Sequence, residues 1–368
     1  MAELRTEEML LNVGPQHPST HGVFRLVVKV DGEIIKEAIP VIGYLHRGTE
    51  KLAEDLNYTQ IIPYTDRLDY LSSMTNNYAL VQAVETLMGV QVPERAEYLR
   101  VIAMELSRIA SHLVWWGTNL LDLGAISPFL FAFRDREMII DMLNELSGAR
   151  LTFNYMRVGG VKWDAPEGWI EKVGKFVPYM REKIKEYHTL VTGNEIFLAR
   201  VKNIAVYDGE TAINYGLSGP VLRGSNVKFD IRKNQTYSIY DRFEFDVPVG
   251  TTGDVYDRYM VRMEEMIQSL RILEQAVEQF PESGEIMGKV PKVLRAPEGE
   301  VYTRMESSKG ELGVYLVSKG KDKPYRLKLR RPSFVNLQLL PKLLIGRTMA
   351  DIPAVLGAID IVLGEVDA

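Results

Sequence analysis

Residues 113–133 carry one charge among 21 positions, Asp122, and no other stretch limits the folds open to this chain so strongly. A run of that length must leave water, either in a bilayer, which takes about 20 apolar residues per helix, or in a protein core. Asp122 near its middle would cost about 2.5–3.5 kcal/mol at a bilayer centre. Gly117, Thr118, Asn119, Gly124 and Pro128 interrupt the run further. A buried helix–turn–helix passage is therefore expected, in which Asp122 needs a partner or a proton.

The rest of the chain is ordinary for a globular protein: 368 residues, 44 Lys and Arg against 49 Asp and Glu, a net charge of −5, and 46% apolar residues. It is long enough for a large core without staples, in two or three domains or one elaborate one. Without a basic block, nucleic acid is not expected as a partner. There is no Cys. That excludes disulfides, thiolate nucleophiles, cysteinyl iron–sulfur clusters and tetrathiolate zinc, so any electrons must come from a partner's cofactor or a bound organic molecule. Residues 1–12 lack the cationic start and apolar run of a signal peptide, so a cytoplasmic location is expected.

Residues 23–30 and 33–38 flank Asp31-Gly32 and predict a β-hairpin with a type I′ turn. The preceding segment, Gly14-Pro15-Gln16-His17-Pro18-Ser19-Thr20-His21-Gly22, is too rich in Pro and Gly for a regular element and reads as a loop. Helical spacing predicts one long helix over 93–121, with Glu105, Arg108 and His112 stepping along one face. Further helices are expected over 134–146, 166–190 with a bend at Pro178, and 255–279, together making a central bundle. Strands at 313–318 and 325–329 and apolar helical segments at 336–344 and 352–363 follow. The fold expected is α+β: an N-terminal β-hairpin region over 1–60, a central helical bundle over 61–280, and a C-terminal strand-plus-helix portion over 281–368 packed back on it. The segment 281–300 is the best boundary candidate.

Chemistry-bearing residues are sparse. Of five His, His17 and His21 fall four apart in the Gly/Pro loop, where a metal site is a weaker reading than bonding to loop backbone. His112 reads as a satisfied structural histidine and His188 as exposed. Tyr64-Thr65-Asp66-Arg67-Leu68-Asp69-Tyr70 packs two phenols, two carboxylates and a guanidinium together, a composition more common at a solvated helix start than in an active site. Nucleotide-binding glycine loops and the GxSxG elbow are absent.

The ordered motifs go further. The Gly14–Gly22 segment, Gly43-Tyr44-Leu45-His46-Arg47-Gly48, the Tyr64–Tyr70 run, Glu105-Leu106-Ser107-Arg108-Ile109, Asp122-Leu123-Gly124-Ala125, Ser147-Gly148-Ala149-Arg150, Arg157-Val158-Gly159-Gly160 and Gly364-Glu365-Val366-Asp367 resemble, in order and over practically the whole chain, the D-subunit family of proton-pumping NADH-quinone oxidoreductase, complex I. That family is similar to the large subunit of nickel-iron hydrogenases, whose metal needs two pairs of cysteines that this chain lacks. The resemblance implies that quinone enters the cavity the metal once filled, and that the chain itself holds no cofactor or metal. FMN and iron–sulfur clusters would lie in partner subunits, the terminal cluster in the B subunit, with C, I and the membrane H subunit as further partners at the cytoplasmic face of the bacterial cell membrane. It makes His21 and Tyr70 the hydrogen-bond donors to the quinone head group, Asp122 the partner of His21, and Arg47 and Arg67 the arginines near the partner's cluster.

One position departs from the family pattern. Many ubiquinone-using relatives carry a histidine two residues after the Gly-Ala-Arg run, where this chain has Thr152, which suits a menaquinone user. Two further readings are open: a scaffold that docks the cluster-bearing subunit without touching substrate, and a relative fed by ferredoxin instead of NADH.

Overall fold

The computed structural model describes residues 8–17 and 22–368. Strands β1 (Glu8–Val13), β2 (Arg25–Asp31) and β3 (Ile34–Val41) form an antiparallel sheet in that order. Leu26, Val28 and Val30 of β2 are buried at the period of two that one covered face requires. The hairpin stands where expected, but its turn is shifted: Asp31 pairs with Ile34, leaving Gly32 and Glu33 to make it. Of these two only Gly32 has a positive φ, 61°, which is the type II′ pattern, whereas type I′ needs positive φ at both positions. β1 had no signature in the sequence, because it is an edge strand with no buried position and therefore no alternation to read.

Helices α1 (Thr49–Ala53) and α2 (Tyr58–Thr65) lead to α3 (Ser73–Met88). Asn57 and Gln60 cap α2 reciprocally, side chain to backbone N–H, at 3.0 and 3.1 Å. The long helix expected from spacing is α4 (Glu94–Asp122), 29 residues or about 43 Å, with Glu94 and Glu97 at the positive end of its dipole. Residues 123–125 turn the chain into α5 (Ile126–Ser147), which starts eight residues earlier than expected; Pro128 lies in its first turn, where a missing N–H loses no helical bond. The apolar passage thus bends as predicted. Its burial does not extend throughout: Leu113, Trp115, Trp116 and Leu120 are buried, but Leu121, Ile126 and Leu130 are exposed, and Asp122 is half-buried at the bend. Among the described residues no helix is long and apolar enough to cross a membrane.

Two short strands, β4 (Met156–Arg157) and β5 (Gly160–Val161), precede α6 (Trp169–Tyr187), which contains Pro178 and continues into a wider π turn over His188–Thr192. The short helices α7 (Glu195–Val201), α8 (Gly209–Asn214), α9 (Pro220–Arg223) and α10 (Ile231–Asn234) follow. Helix α11 (Val255–Glu278) begins where the Asp254 carboxylate accepts the Asp257 N–H at 2.8 Å. α4 packs on α5 and on α11, and α11 on α6, which makes the bundle. Residues 281–298 are irregular but fastened to β5: Gly288 N donates to Gly159 O at 2.7 Å and Val161 N to Ile286 O at 3.1 Å. A side chain at Gly160 would strike the Ile286 backbone, so only glycine permits that seam.

Strands β6 (Gly299–Ser307), β7 (Gly310–Ser318) and β8 (Arg326–Arg330) form a second antiparallel sheet, followed by α12 (Pro332–Leu337), α13 (Leu340–Leu344), α14 (Ile352–Ile359) and α15 (Leu363–Val366). Each of the two expected C-terminal helices is divided into two shorter ones. α3 packs on β6 and β7, α13 on β3, and α14 on α4 and α11, so both ends of the chain close on the bundle in the mixed α and β arrangement expected.

Candidate functional site

The face of α4 that carries Glu105, Arg108 and His112 turns into a buried ion network. Glu105 accepts from Arg232 Nη1 at 3.2 Å, Arg108 Nε at 3.2 Å, Ser269 Oγ at 2.6 Å and Tyr240 OH at 2.7 Å. Burial would raise its carboxyl, but Arg108 and Arg232 pull it down to about 2. Arg223 joins Glu265, with Nε at 2.9 Å, to Glu306, with Nη1 at 2.7 Å. His112 Nε2 lies 3.0 Å from Glu265, but its buried Nδ1 has no hydrogen-bond partner among the described residues, so the fully satisfied structural histidine expected is met at one ring nitrogen only; burial lowers its pKa. His188 is half-buried, not exposed as expected, because the π turn sets its Nδ1 2.8 Å from Thr192 Oγ1.

The Tyr64–Tyr70 run is not a solvated helix start. It closes α2 and turns, with Thr65, Asp66, Leu68 and Asp69 buried and only Arg67 exposed. Asn77 of α3 holds the turn by donating to Ile62 O at 3.2 Å, to Thr65 Oγ1 at 3.0 Å and to Asp66. Burial pushes the Asp66 carboxyl up to about 6, against hydrogen bonds from Asn77 and Asn154 and the charges of Arg67 and Arg157. With a folded pKa above the unfolded ~3.9, its contribution is full below that value and is lost as pH rises through about 6. Asp66→Asn is therefore expected to be more stable than the wild type at about pH 8 by up to about 2 kcal/mol, the gain closing near about pH 4. Thermal melts of the assembled complex at both pH values check this, and an equal gap at both would contradict it.

Tyr70 and Asp122 line the same cleft. Its walls are Tyr70 and Leu71 from the turn, Val114, Trp115, Thr118, Leu121 and Asp122 from α4, and Asp360, Ile361 and Val362 between α14 and α15, enclosing about 590 Å³. Trp115 is fixed by donating from Nε1 to Gly357 O at 2.7 Å. Burial, then Asp69, raises the Tyr70 phenol above its usual value, so it stays protonated at neutral pH and is a standing hydrogen-bond donor. His21 lies outside the described residues. At the next residue, Gly22, a Cβ would stand 3.2 Å from the Leu363 Cδ1, next to the cleft residue Val362.

Arg47 and Arg67 are both exposed, on two loops fastened to one C-terminal segment. Asp367 accepts from Gly43 N at 2.8 Å and Leu45 N at 2.7 Å, and its carbonyl lies 2.7 Å from His46 Nδ1. A side chain at Gly364 would meet Leu68 O at 2.7 Å and Arg67 O at 2.8 Å, so the tail runs directly under both loops. Among the described residues, no three His, Asp or Glu side chains are grouped to hold a metal ion.

Beside the cleft, Asp69 and Glu365 were named in the sequence only as members of motifs, and Asp360 and Lys309 were not singled out. Asp360 had a signal of the kind that marked Asp122, a lone acid in the apolar run 352–363. Lys309 had none, because its burial depends on where a hairpin tip is inserted.

The mixed α and β fold is that of a family of the hydrogenase large-subunit-like class, here with no thiolate for a metal centre. Residues 122–295 and 289–368 match the family described as the 49 kDa subunit of respiratory-chain NADH dehydrogenase. The D subunit of the NADH-quinone oxidoreductase of Bacillus mycoides strain KBAB4 is 71% identical over 364 residues, covering 99% of this chain and 100% of that protein. The D subunits of Bacillus anthracis and Bacillus cytotoxicus are 70% and 69% identical over the same coverage. The chain therefore belongs to the family of the D, or 49 kDa, subunit of NADH-quinone oxidoreductase, complex I, and is one component of an oxidoreductase complex.

Proposed function

We propose that this subunit forms the quinone-reduction site of its complex at an interface with the B subunit, and that menaquinone is the substrate. The observation that carries the reading is the shared cleft of Tyr70 and Asp122. Reducing a quinone takes two electrons and two protons, and a chain without thiolates supplies the proton side: Tyr70 as a neutral donor to one carbonyl oxygen, and His21, oriented and kept cationic by Asp122, as donor to the other. Electrons arrive from NADH through FMN and the iron–sulfur clusters of partner subunits, the terminal cluster lying against Arg47 and Arg67, whose fixed positive charge favours its reduced state. Thr152, where ubiquinone users carry a histidine, removes one ionisable group from the cluster's surroundings and supports menaquinone.

The complex so placed lies at the cytoplasmic face of the bacterial cell membrane, with C, I and the membrane H subunit as further neighbours. Formation of hydroquinone takes protons from the His21/Asp122 pair, and the rearranged Gly/Pro loop transmits that change to the proton pump. Asp122→Asn tests this in membranes: quinone reduction is expected to fall at least about tenfold, and the protons moved per NADH oxidised to fall with it. Unchanged turnover and unchanged pumping would favour a docking scaffold that does not touch substrate.

A further inference from the structure

Loops that join strands ordinarily lie in solvent, yet Ser308 and Lys309, the two residues linking β6 to β7, are buried. The tip is driven inward by backbone-to-backbone contact: a Cβ on Gly219 would lie 2.5 Å from Gly310 Cα, and one on Gly310 2.7 Å from the Ser218 carbonyl carbon. The insertion brings Lys309 Nζ to 2.5 Å from Oδ2 of Asp360, a residue of the cleft wall. Ser308 Oγ lies 3.4 Å from Asp69 Oδ2, 2.5 Å from Ser72 Oγ and 3.0 Å from Ser111 Oγ. Behind them Glu365 of α15 is fully buried. Its Oε2 accepts one hydrogen bond, from Ser333 N at 3.0 Å, and its Oε1 has no hydrogen-bond partner.

Among the described residues, the groups that act on Glu365 come from separate elements: Asp69 from the α2–α3 turn, Lys309 from the hairpin tip and Arg331 ahead of α12, which also faces Glu50 and Asp367. Lys309 is shared with Asp360, which lies 3.6 Å from Arg262 of α11, itself facing Glu265. A dry interior disfavours an anion that has one hydrogen bond and one oxygen without a partner. Asp360 is paired with Lys309, Asp367 has two backbone donors, and Asp69 accepts from Leu71 N at 3.0 Å and from Ser308. Burial raises Asp69 as well, but Glu365, with one donor and an unpartnered oxygen, is the less satisfied of the two as an anion and is where the proton rests. Burial, and then Asp69, pushes its carboxyl up to about 7.

We propose that Glu365, acting with Asp69, is a proton store for the cleft, giving up its proton toward Asp360 when a reduced ligand oxygen becomes basic enough to take it. The proposal rests on the quinone-site reading. The step moves no electrons: the Glu365 O–H bond breaks, the proton passes by way of Asp69 and Asp360, an O–H bond forms on the ligand oxygen, and Glu365 is left as a carboxylate that later regains a proton from solvent. Glu365 touches no substrate and acts through its neighbours.

Infrared difference spectroscopy and turnover of the assembled membrane complex test this together. A carboxylic-acid C=O band that shifts on isotopic labelling of glutamate is expected at neutral pH, disappearing as pH rises through about 7 and missing in Glu365→Gln. In that variant quinone reduction should fall on the order of a hundredfold and lose its dependence on pH near neutrality, while the iron–sulfur spectrum is unchanged. Wild-type turnover with a wild-type pH profile in Glu365→Gln, or no titrating glutamic-acid band in the wild type, overturns the proton store. If the variant does not assemble, the labelled wild-type band alone decides. Tyr70→Phe run in parallel separates the two ideas: loss there with none in Glu365→Gln keeps the quinone site and removes the store, and no loss in either removes both.

Discussion

Replacing Arg223 by Met is expected to leave almost no folded protein of this chain in the complex. The guanidinium is completely buried and bonds Glu265, Glu306 and Phe229 O at once. Taking one partner from a buried ion pair costs about 3–5 kcal/mol, because the other charge stays in low dielectric with nothing to offset it. Against the ~5–15 kcal/mol that holds a typical domain together, that is decisive. The two carboxylates respond differently. Burial pushes Glu306 up, so it can take a proton when the cation leaves. Glu265 is held far below the usual carboxylate range by Arg223 first and then His112, against burial, so losing Arg223 removes the main support of its charge and leaves it with His112 in a dry site. Adding Glu265→Gln to Arg223→Met should therefore restore part of the loss. Abundance of the chain in membranes and resistance to pulse proteolysis measure both effects; wild-type levels of Arg223→Met would show that the network contributes little.

Tyr70→Phe is expected to leave assembly, the partner clusters' spectra and thermal stability unchanged, and to lower quinone reduction on the order of a hundredfold or more. The phenyl ring keeps the contact with Gly364, whose Cβ position is 3.4 Å from Tyr70 Cδ1, so packing survives and only the donor is lost. Because burial keeps the phenol protonated well beyond neutrality, the loss should be the same at about pH 6 and about pH 8. Normal turnover of an assembled Tyr70→Phe complex would mean that the cleft is not where quinone reacts.

Much of this molecule was legible before any coordinates. The hairpin of β2 and β3, α4 with its turn into α5, α6 and α11 all announced themselves, because each has an apolar period matched to its own geometry or a Gly or Pro where the chain must stop. Two elements gave no sign because their burial is two-sided or absent. α3 is buried at 12 of its 16 residues, so no polar face marks a period, and β1 lies at an edge with no buried side chain. The charged Tyr64–Tyr70 run reads as solvent-facing by composition, but Asn77 and Asn154 supply the hydrogen bonds that let Asp66 go inside, and Leu71 N and Ser308 do so for Asp69.

Residue order alone established what this chain cannot hold and what it resembles: no thiolate, hence no metal pair or cysteinyl cluster, and an ordered set of motifs that names the family. It also marked Asp122 as an acid in need of a reason. Packing in three dimensions was needed to show that Tyr70, Asp122 and Asp360, distant along the chain, share one cleft, and that a hairpin tip pushes Lys309 beside it. Local periodicity encodes which face of an element is apolar. Which charges end up sharing a dry interior is settled when separate elements pack, and that information is not contained in any one stretch of residues.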